Sequence, residues 1–235
     1  MAGARRRTRV AQGPAAKVRG VAHQLVPIAI GSSLIGIGVG LFLRADLGLP
    51  PYDVFLSAIR NPLGITHGQT AWAVALVLFA VAALFGRRPT IYGLVFTITN
   101  GLAVDRAVSL IEVPSGLTLQ IVFVAAGLVS IAGGIAVATS TSTTGGPFDL
   151  LMMAGNDHGF DPYRVRTAME LGVLVGGVAG GGDFGLATIA FAMTIGPIMR
   201  TWTTALNDHR EGRTMRLTRT EVSNEASDSS QPAHA

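Results

Sequence analysis

The chain has 235 residues, 49% of them apolar and only 14% charged, with a net charge of +4. The charged share lies well below the roughly 25% of an average soluble domain, so the composition indicates a membrane protein. The chain contains no cysteine, which excludes disulfides, thiolate metal sites and cysteine nucleophiles. Its 30 glycines are typical of packed membrane helices, where small residues let backbones approach closely.

Six apolar segments reach, or nearly reach, the roughly 20 residues that a helix needs to cross a bilayer. In chain order they are Val21–Leu43, Gln69–Phe85, Ile91–Leu110, Leu117–Thr139, Val165–Gly180 and Phe184–Thr203. The first segment is too long for the apolar part of a signal peptide and has no clear small-residue cleavage site. The sequence therefore predicts an all-α integral membrane protein with six transmembrane helices. A basic tail at 1–20 precedes them, and a disordered tail at 204–235 follows.

The basic residues predict the orientation of these helices. With six spans and a cytoplasmic N-terminus, 15 of the 18 Lys and Arg residues lie on the inner side. Only Arg44, Arg60 and Arg106 lie outside. The positive-inside rule therefore predicts that both termini are cytoplasmic. Orientation in the lipid bilayer explains the positive charge better than nucleic-acid binding does, so we expect no nucleic-acid partner.

A Pro-aromatic-Asp element occurs twice and indicates an internal repeat. Gly-Leu-Pro-Pro-Tyr-Asp-Val at 48–54 resembles Thr-Gly-Gly-Pro-Phe-Asp-Leu at 144–150, an offset of 96. Other residues match at offset 96 upstream and 95 downstream; examples are Gly38 with Gly134, Phe96 with Phe191, and Gly101 with Gly196. Membrane repeat one therefore covers residues 21–111 and membrane repeat two covers residues 117–203. Each repeat holds three spans, an odd number, so the two copies would insert as inverted repeats, as in many secondary transporters.

The repeated element predicts a short helix after the first span of each repeat. Proline suits the first turn of a helix, so Pro51 and Pro147 should begin these helices. The helix dipole favours an acidic residue in the first turn, where Asp53 and Asp149 would lie. Two interpretations remain open. Each aspartate either caps a helix at the membrane surface, or the two elements meet near the midplane and line a polar site.

In the second interpretation, the carboxylates could take up protons or bind a cation, while helix N–H groups and hydroxyls could hold an anionic solute. The candidate substrate-binding residues are Asp53, Asp149, Pro51, Pro147, Thr144, Gly145 and Gly146. Glu170 lies four residues after Arg166, which suits an ion pair on one helix face. The alternative for Glu170 is proton coupling at a cavity.

Other polar residues and glycines have plainer interpretations. We expect His67 to be a loop residue, and Asn100 to make an interhelical hydrogen bond. Glycines spaced by four should provide flat faces for packing within the chain, or alternatively in a homodimer; they are Gly36, Gly40, Gly172, Gly176 and Gly180. The sequence shows no nucleotide, metal or catalytic motif, so we expect no cofactor, no metal and no enzymatic activity.

Several short motifs together resemble the YczE-like bacterial membrane proteins, which are related to the YitT group. In the first repeat they are Arg44-Ala45-Asp46-Leu47-Gly48 and Pro51-Tyr52-Asp53-Val54; in the second they are Arg164 to Leu171, Gly185-Leu186-Ala187-Thr188 and Gly196-Pro197. The similarity covers about residues 25–203, and a Ser/Thr-rich stretch before Pro147 departs from it. The resemblance implies a location in the bacterial cytoplasmic membrane and no particular substrate.

Two functions fit these observations. The first is a secondary transporter or permease-like protein for a small solute or ion, because matched broken segments in inverted repeats are typical of such proteins. The second is a membrane scaffold or regulator that acts through a partner, because no strongly buried charge cluster is evident beyond the two aspartates.

Overall fold

The computed structural model describes residues 14–140, 146–199, 201, 202 and 204, and within them every regular element is a helix. The helices are α1 (Pro14–Ala45), α2 (Pro51–Leu63), α3 (His67–Leu84), α4 (Ile91–Leu110), α5 (Leu117–Thr139), α6 (Pro147–Asp157), α7 (Pro162–Ala179) and α8 (Leu186–Met199). The all-α prediction is confirmed. Each of the six predicted segments contains a helix, although the described helix of the sixth covers only Leu186–Met199, and the two short helices begin at the predicted prolines.

Three helices are long and apolar enough to cross a membrane: α1 within His23–Ala45, α3 over His67–Leu84, and α5 over Leu117–Thr139. Helices α4 and α7 have similar lengths but carry more polar residues, and the described part of α8 is shorter. Large apolar side chains are exposed on several helices; Leu76 is 70% exposed, for example. Such surfaces suit contact with lipid rather than with water. The six-span count remains a prediction.

Helices α1 and α5 cross in close contact at paired glycines. A Cβ atom added to Gly31 would lie 2.5 Å from the Gly134 carbonyl oxygen, and one added to Gly38 would lie 2.8 Å from that of Gly127. Between these contacts, the Ser130 hydroxyl donates to the backbone carbonyl of Leu34 at 2.7 Å. Residue numbers rise along α1 as they fall along α5, so the two helices run antiparallel.

Glycines also let α1 pack against α4. A Cβ atom on Gly36 would lie 2.5 Å from the Asn100 carbonyl oxygen, and one on Gly40 would lie 2.4 Å from the Ala107 Cβ. These glycines therefore serve packing within the chain. In contrast, the space around Gly172 on α7 is open, so this position does not contribute to that packing.

Each short helix lies against the same two long helices, α3 and α7. On the side of α2, the irregular segment 46–50 is bonded to the segment before α8. The Leu49 amide donates to the Asp183 carbonyl at 3.1 Å, and the Ala187 amide donates to the Leu47 carbonyl at 2.9 Å. A buried apolar cluster packs beside these bonds; its members include Val39, Phe42, Leu49, Val54, Val104, Leu128, Ile131 and Ala187. This end of the helix bundle is consequently well packed.

Candidate functional site

The two Pro-aromatic-Asp elements meet inside the helix bundle. The rings of Tyr52 and Phe148, which occupy the same place in the two repeats, contact edge to face with their centroids 5.0 Å apart. The first turns of α2 and α6 therefore lie side by side. Both turns border one cavity of about 510 Å³, so neither short helix lies apart on the surface.

The cavity wall is mostly apolar, with a few convergent polar groups. Its aromatic and aliphatic lining includes Ile35, Val39, Phe96, Ile131, Ile135, Met152, Met169, Val173, Phe191, Ile195 and Met199. Its polar lining includes Asp53, Asp149, Glu170, Arg166, Asn100 and Thr97. A concave, mostly apolar space with few polar groups is the usual form of a small-molecule site.

Asp53 is paired with a buried histidine. The residue is 7% exposed, and its Oδ1 lies 2.8 Å from Nε2 of His67, which is 3% exposed. His67 begins α3, where Thr66 and Gln69 form a capping box that fixes the start of the helix. The other ring nitrogen of His67, Nδ1, is buried without a hydrogen-bond partner among the described residues. The expectation that His67 is a loop residue was wrong.

The position before each short helix explains why Asp53 reaches His67. Residue 146 is glycine, and its amide donates to Oδ2 of Asp149 at 3.3 Å, which caps α6. The corresponding residue before α2 is Pro50, which has no amide hydrogen to donate. Asp53 therefore cannot make the equivalent capping bond, and its carboxylate is left to pair with the histidine.

Asp149 lies near an arginine on α7. Its Oδ1 is 3.9 Å from Nη1 of Arg166, whose Nε donates to Glu170 at 2.9 Å. The i, i+4 ion pair expected for Glu170 is therefore present, and the same pair also lines the cavity. Glu170 therefore forms the ion pair of the first interpretation and also borders the cavity of the second.

The structure brings most of the predicted site residues together. Pro51, Pro147, Gly146, Asp53, Asp149 and Glu170 all line the cavity. Thr144 and Gly145 lie outside the described residues. Asn100 makes the expected interhelical hydrogen bond, from its amide to the Ser32 carbonyl at 3.2 Å, and it also faces the cavity. Sequence reasoning missed His67 and Arg166 as site residues; neither has a counterpart of its own type in the other repeat.

Two ion pairs lie outside the cavity at the far ends of the short helices. Arg60 and Asn61 of α2 hydrogen-bond Asp183 before α8, with distances of 3.1 Å. Arg87, after α3, donates from Nη2 to Asp157 at the end of α6 at 2.7 Å. This hydrogen bond holds the pKa of Asp157 below its ordinary value.

Metal binding is not indicated at the site. No group of three His, Asp or Glu side chains in the described part of the chain could hold a metal ion. The described lining instead combines a buried carboxylate–imidazole pair, two further carboxylates and one guanidinium on a mostly apolar wall.

The apolar helices and the cavity between them define a helical membrane protein with an internal cavity. Residues 22–204 match the family described as "Family of unknown function (DUF6198)", and the chain belongs to that family. It is 30% identical over 173 residues to the uncharacterized membrane protein YczE of Bacillus subtilis, which covers 72% of this chain and 80% of the relative. The resemblance to YczE-like proteins is therefore confirmed.

Two further relatives extend the comparison. The chain is 24% identical over 132 residues to the uncharacterized protein YyaS of Bacillus subtilis, covering 54% of this chain and 66% of the relative. It is 25% identical over 169 residues to an uncharacterized protein of Haemophilus influenzae, covering 72% and 78%. No solved structure matches the chain.

Proposed function

We propose that this protein is a multi-pass secondary transporter of a small solute in the cytoplasmic membrane. The convergence of the two Pro-aromatic-Asp elements on one cavity carries the proposal. Transporters built from repeats place the solute where broken helices of the two halves meet. Tyr52 and Phe148, equivalent residues 5.0 Å apart, mark such a meeting point here.

The glycine contacts of α1 and α5 support an inverted repeat. The offset of 96 converts Gly31 into Gly127 and Gly38 into Gly134. When each residue is replaced by its counterpart in the other repeat, the contact between Gly31 and Gly134 becomes the contact between Gly127 and Gly38. A twofold axis has this effect, because each partner then presents the same surface. The hydrogen bond between Leu34 and Ser130, which are themselves 96 apart, lies where such an axis would pass.

The short helices support the same symmetry. Exchanging the halves converts α2 into α6 and α7 into α3, and α2 packs on α7 just as α6 packs on α3. Six spans with both termini in the cytoplasm would place the first turns of α2 and α6 between the two membrane faces. Only non-helical backbone that lines a cavity or is buried in protein is tolerated at that depth.

The cavity has one closed and one accessible side, as alternating access requires. Its exposed lining residues lie near the end of α5, on α7 and in α8; they include Thr139, Arg166, Glu170 and Gly196. In the proposed orientation these face the cytoplasm. The hydrogen bonds of segment 46–50 and the apolar cluster close the opposite side. The described arrangement would therefore be the inward-facing state.

Transport can be tested with purified protein in liposomes. Small solutes of four classes would be offered: organic cations, organic anions, sugars and inorganic ions. We expect at least one class to move faster than in protein-free liposomes. Asp53→Asn and Asp149→Asn should each abolish that flux at unchanged expression, while Glu112→Gln, a carboxylate change in an exposed loop, should not. Absence of flux for every class, or unchanged flux in both aspartate variants, would contradict the proposal.

The six-span arrangement can be tested separately with reporter fusions. Reporters at Arg87 and at the C-terminus should signal from the cytoplasm, and reporters near Arg60 and Ser115 should signal from outside. An external C-terminus would contradict both the six-span count and the inverted repeats. The flux assay would then test transport alone.

A further inference from the structure

We infer that the solute is an apolar organic monocation and that its binding competes with a proton held by the Asp53–His67 pair. The inference rests on the proposed function, because it names the solute class and the coupling ion of the same cavity. It depends on the charge balance of the cavity, on the nature of its wall and on the different partners of the two aspartates.

The charge balance favours a cation. Three carboxylates line the cavity, and the guanidinium of Arg166 is the one cationic group among its described lining residues. That guanidinium is already engaged by Glu170 at 2.9 Å and lies 3.9 Å from Asp149. With all three carboxylates ionised, two negative charges remain unbalanced. This net charge would attract a cation, most strongly beside Asp53, whose side chain is 10% exposed, and less beside Asp149 and Glu170, whose side chains are 33% and 55% exposed.

The wall of the cavity favours an organic ion over an inorganic one. Small hydrated cations need several oxygen ligands at short distance, whereas aliphatic and methionine side chains make most of this wall. Four aromatic rings also border the space, and the faces of such rings attract cations. They belong to Tyr52, Phe96, Phe148 and Phe191. The buried hydroxyl of Thr97, which has no hydrogen-bond partner among the described residues, adds a polar group that a solute could satisfy.

The Asp53–His67 pair is suited to hold the proton. Both residues are buried, and Nε2 of His67 lies within hydrogen-bond distance of Oδ1 of Asp53. A single proton bound by the pair would therefore lie between the imidazole and the carboxylate. His67 itself does not line the cavity; it stands behind Asp53. Other ionisable groups lie on the neighbouring elements. Asp105 on α4 accepts from the Gly68 amide beside His67, and the cavity that Asp53 lines is also bordered by Tyr52 on α2, Asp149 on α6, and Arg166 and Glu170 on α7.

The direction of the pH effect follows from these charges. A proton on the pair lowers the unbalanced negative charge of the cavity from two to one, so it weakens the attraction for a cation. Without this proton the cavity carries two unbalanced negative charges and binds a cation more tightly. A proton gradient directed inwards would thus favour the protonated cavity, which releases the cation. The gradient would in this way drive the exchange of protons for the cation.

Two probes of the same shape and opposite charge test the solute class. Binding of tetraphenylphosphonium and of tetraphenylborate to the purified full-length protein in detergent would be measured by equilibrium dialysis. We expect the phosphonium to bind, with a dissociation constant about three- to tenfold lower at pH 8 than at pH 6, and the borate not to bind. Preferential binding of the borate, or no binding of the phosphonium to folded protein, would overturn the inference.

Variants test the assigned residues. Asp149→Asn should weaken phosphonium binding about tenfold at both pH values, and Asp53→Asn should remove the dependence on pH. Arg166→Gln should tighten binding several-fold, because it deletes the cavity's positive charge, and misfolding cannot produce this gain. Glu112→Gln is the matched control and should change nothing. A wild-type dissociation constant that is equal at pH 6 and pH 8 would rule out competition with a proton.

These outcomes are separable from those of the transport assay. Phosphonium binding without flux of any solute would refute the transporter and leave the binding site. Flux limited to anions or sugars would support the transporter and refute the cation.

Discussion

The two repeats have the same glycines at the crossing of α1 with α5, but they differ at several positions around the neighbouring cavity. At the glycine contacts of the crossing, the matched positions have the same residue, so Gly31 corresponds to Gly127 and Gly38 to Gly134. Around the cavity, the paired prolines and aspartates are also shared, but several other matched positions differ. Pairs that differ include Pro50 with Gly146, Ala71 with Arg166, Ala75 with Glu170, Thr97 with Ala192, and Asn100 with Ile195. Backbone contact constrains the first region, while the second is free to acquire different groups.

The difference teaches how two equivalent carboxylates come to have different partners. Asp53 and Asp149 occupy the same turn of their helices and the same place in the repeat. One residue further back, proline in one copy and glycine in the other decide whether an amide is present to cap the helix. The carboxylate that lacks this donor pairs with His67. The presence or absence of a backbone amide hydrogen before each short helix therefore determines which partner its aspartate has.

The largest effect should come from breaking the shared crossing. Gly31→Ala and Gly127→Ala should each lower the free energy of unfolding by about 3 kcal/mol, because the new methyl group meets a neighbouring backbone or ring closer than 3.0 Å. Gly172→Ala is the control and should stabilise by about 0.5–1 kcal/mol, since its space is open. Thermal unfolding in detergent would measure all three. Equal effects at Gly31 and Gly172 would contradict the close approach.

An intermediate effect should come from exchanging the residues before the short helices. Gly146→Pro removes the amide that caps α6 and forces φ away from −102°, so we expect a loss of about 1–2 kcal/mol. Pro50→Ala should stay within about 0.5 kcal/mol, because it removes no hydrogen bond. Gly146→Ala keeps the amide and serves as the matched control. Comparable losses for Gly146→Ala and Gly146→Pro would show that the amide is not what matters.

The smallest effect should come from the ion pair between Arg87 and Asp157. The pKa of Asp157 is lowered in the folded protein, so the bond stabilises the fold above the ordinary pKa of aspartate, about 4. This contribution is lost as the pH falls through the lowered value. Asp157→Asn should therefore reduce the melting temperature slightly at pH 7 and not at pH 2, since exposed pairs contribute little. A loss that grew as the pH fell would have the wrong sign.

Much of the fold could be predicted because it depends on local patterns. Apolar segments predicted the regions of α1, α3, α4, α5, α7 and α8, and the proline rule predicted that the short helices start at residues 51 and 147. The repeat also indicated the two aspartates. All of these follow from neighbouring residues or from similarity between the two halves, which one sequence displays directly.

The missed residues depend on contacts between distant segments. His67 looked like a loop residue because it precedes an apolar run and has no counterpart in the second repeat. It became a site residue because α2 turns Asp53 towards the start of α3, some 14 positions along the chain. The pairing of Arg166 with Glu170 was visible from their spacing, but its place on the cavity wall depends on how α7 packs against α2.

The glycine crossing also bears on how such a chain could arise. A helix surface that packs against its counterpart in the other repeat needs no further adaptation when the segment is duplicated. An ancestral half carrying the residues of α1 would have met a second, oppositely inserted half through contacts between its own first helices. With the inverted repeats proposed above, duplication would then have had only to join two polypeptides that already fitted. Differences around the cavity would have become possible afterwards, when a change in one half no longer appeared in both.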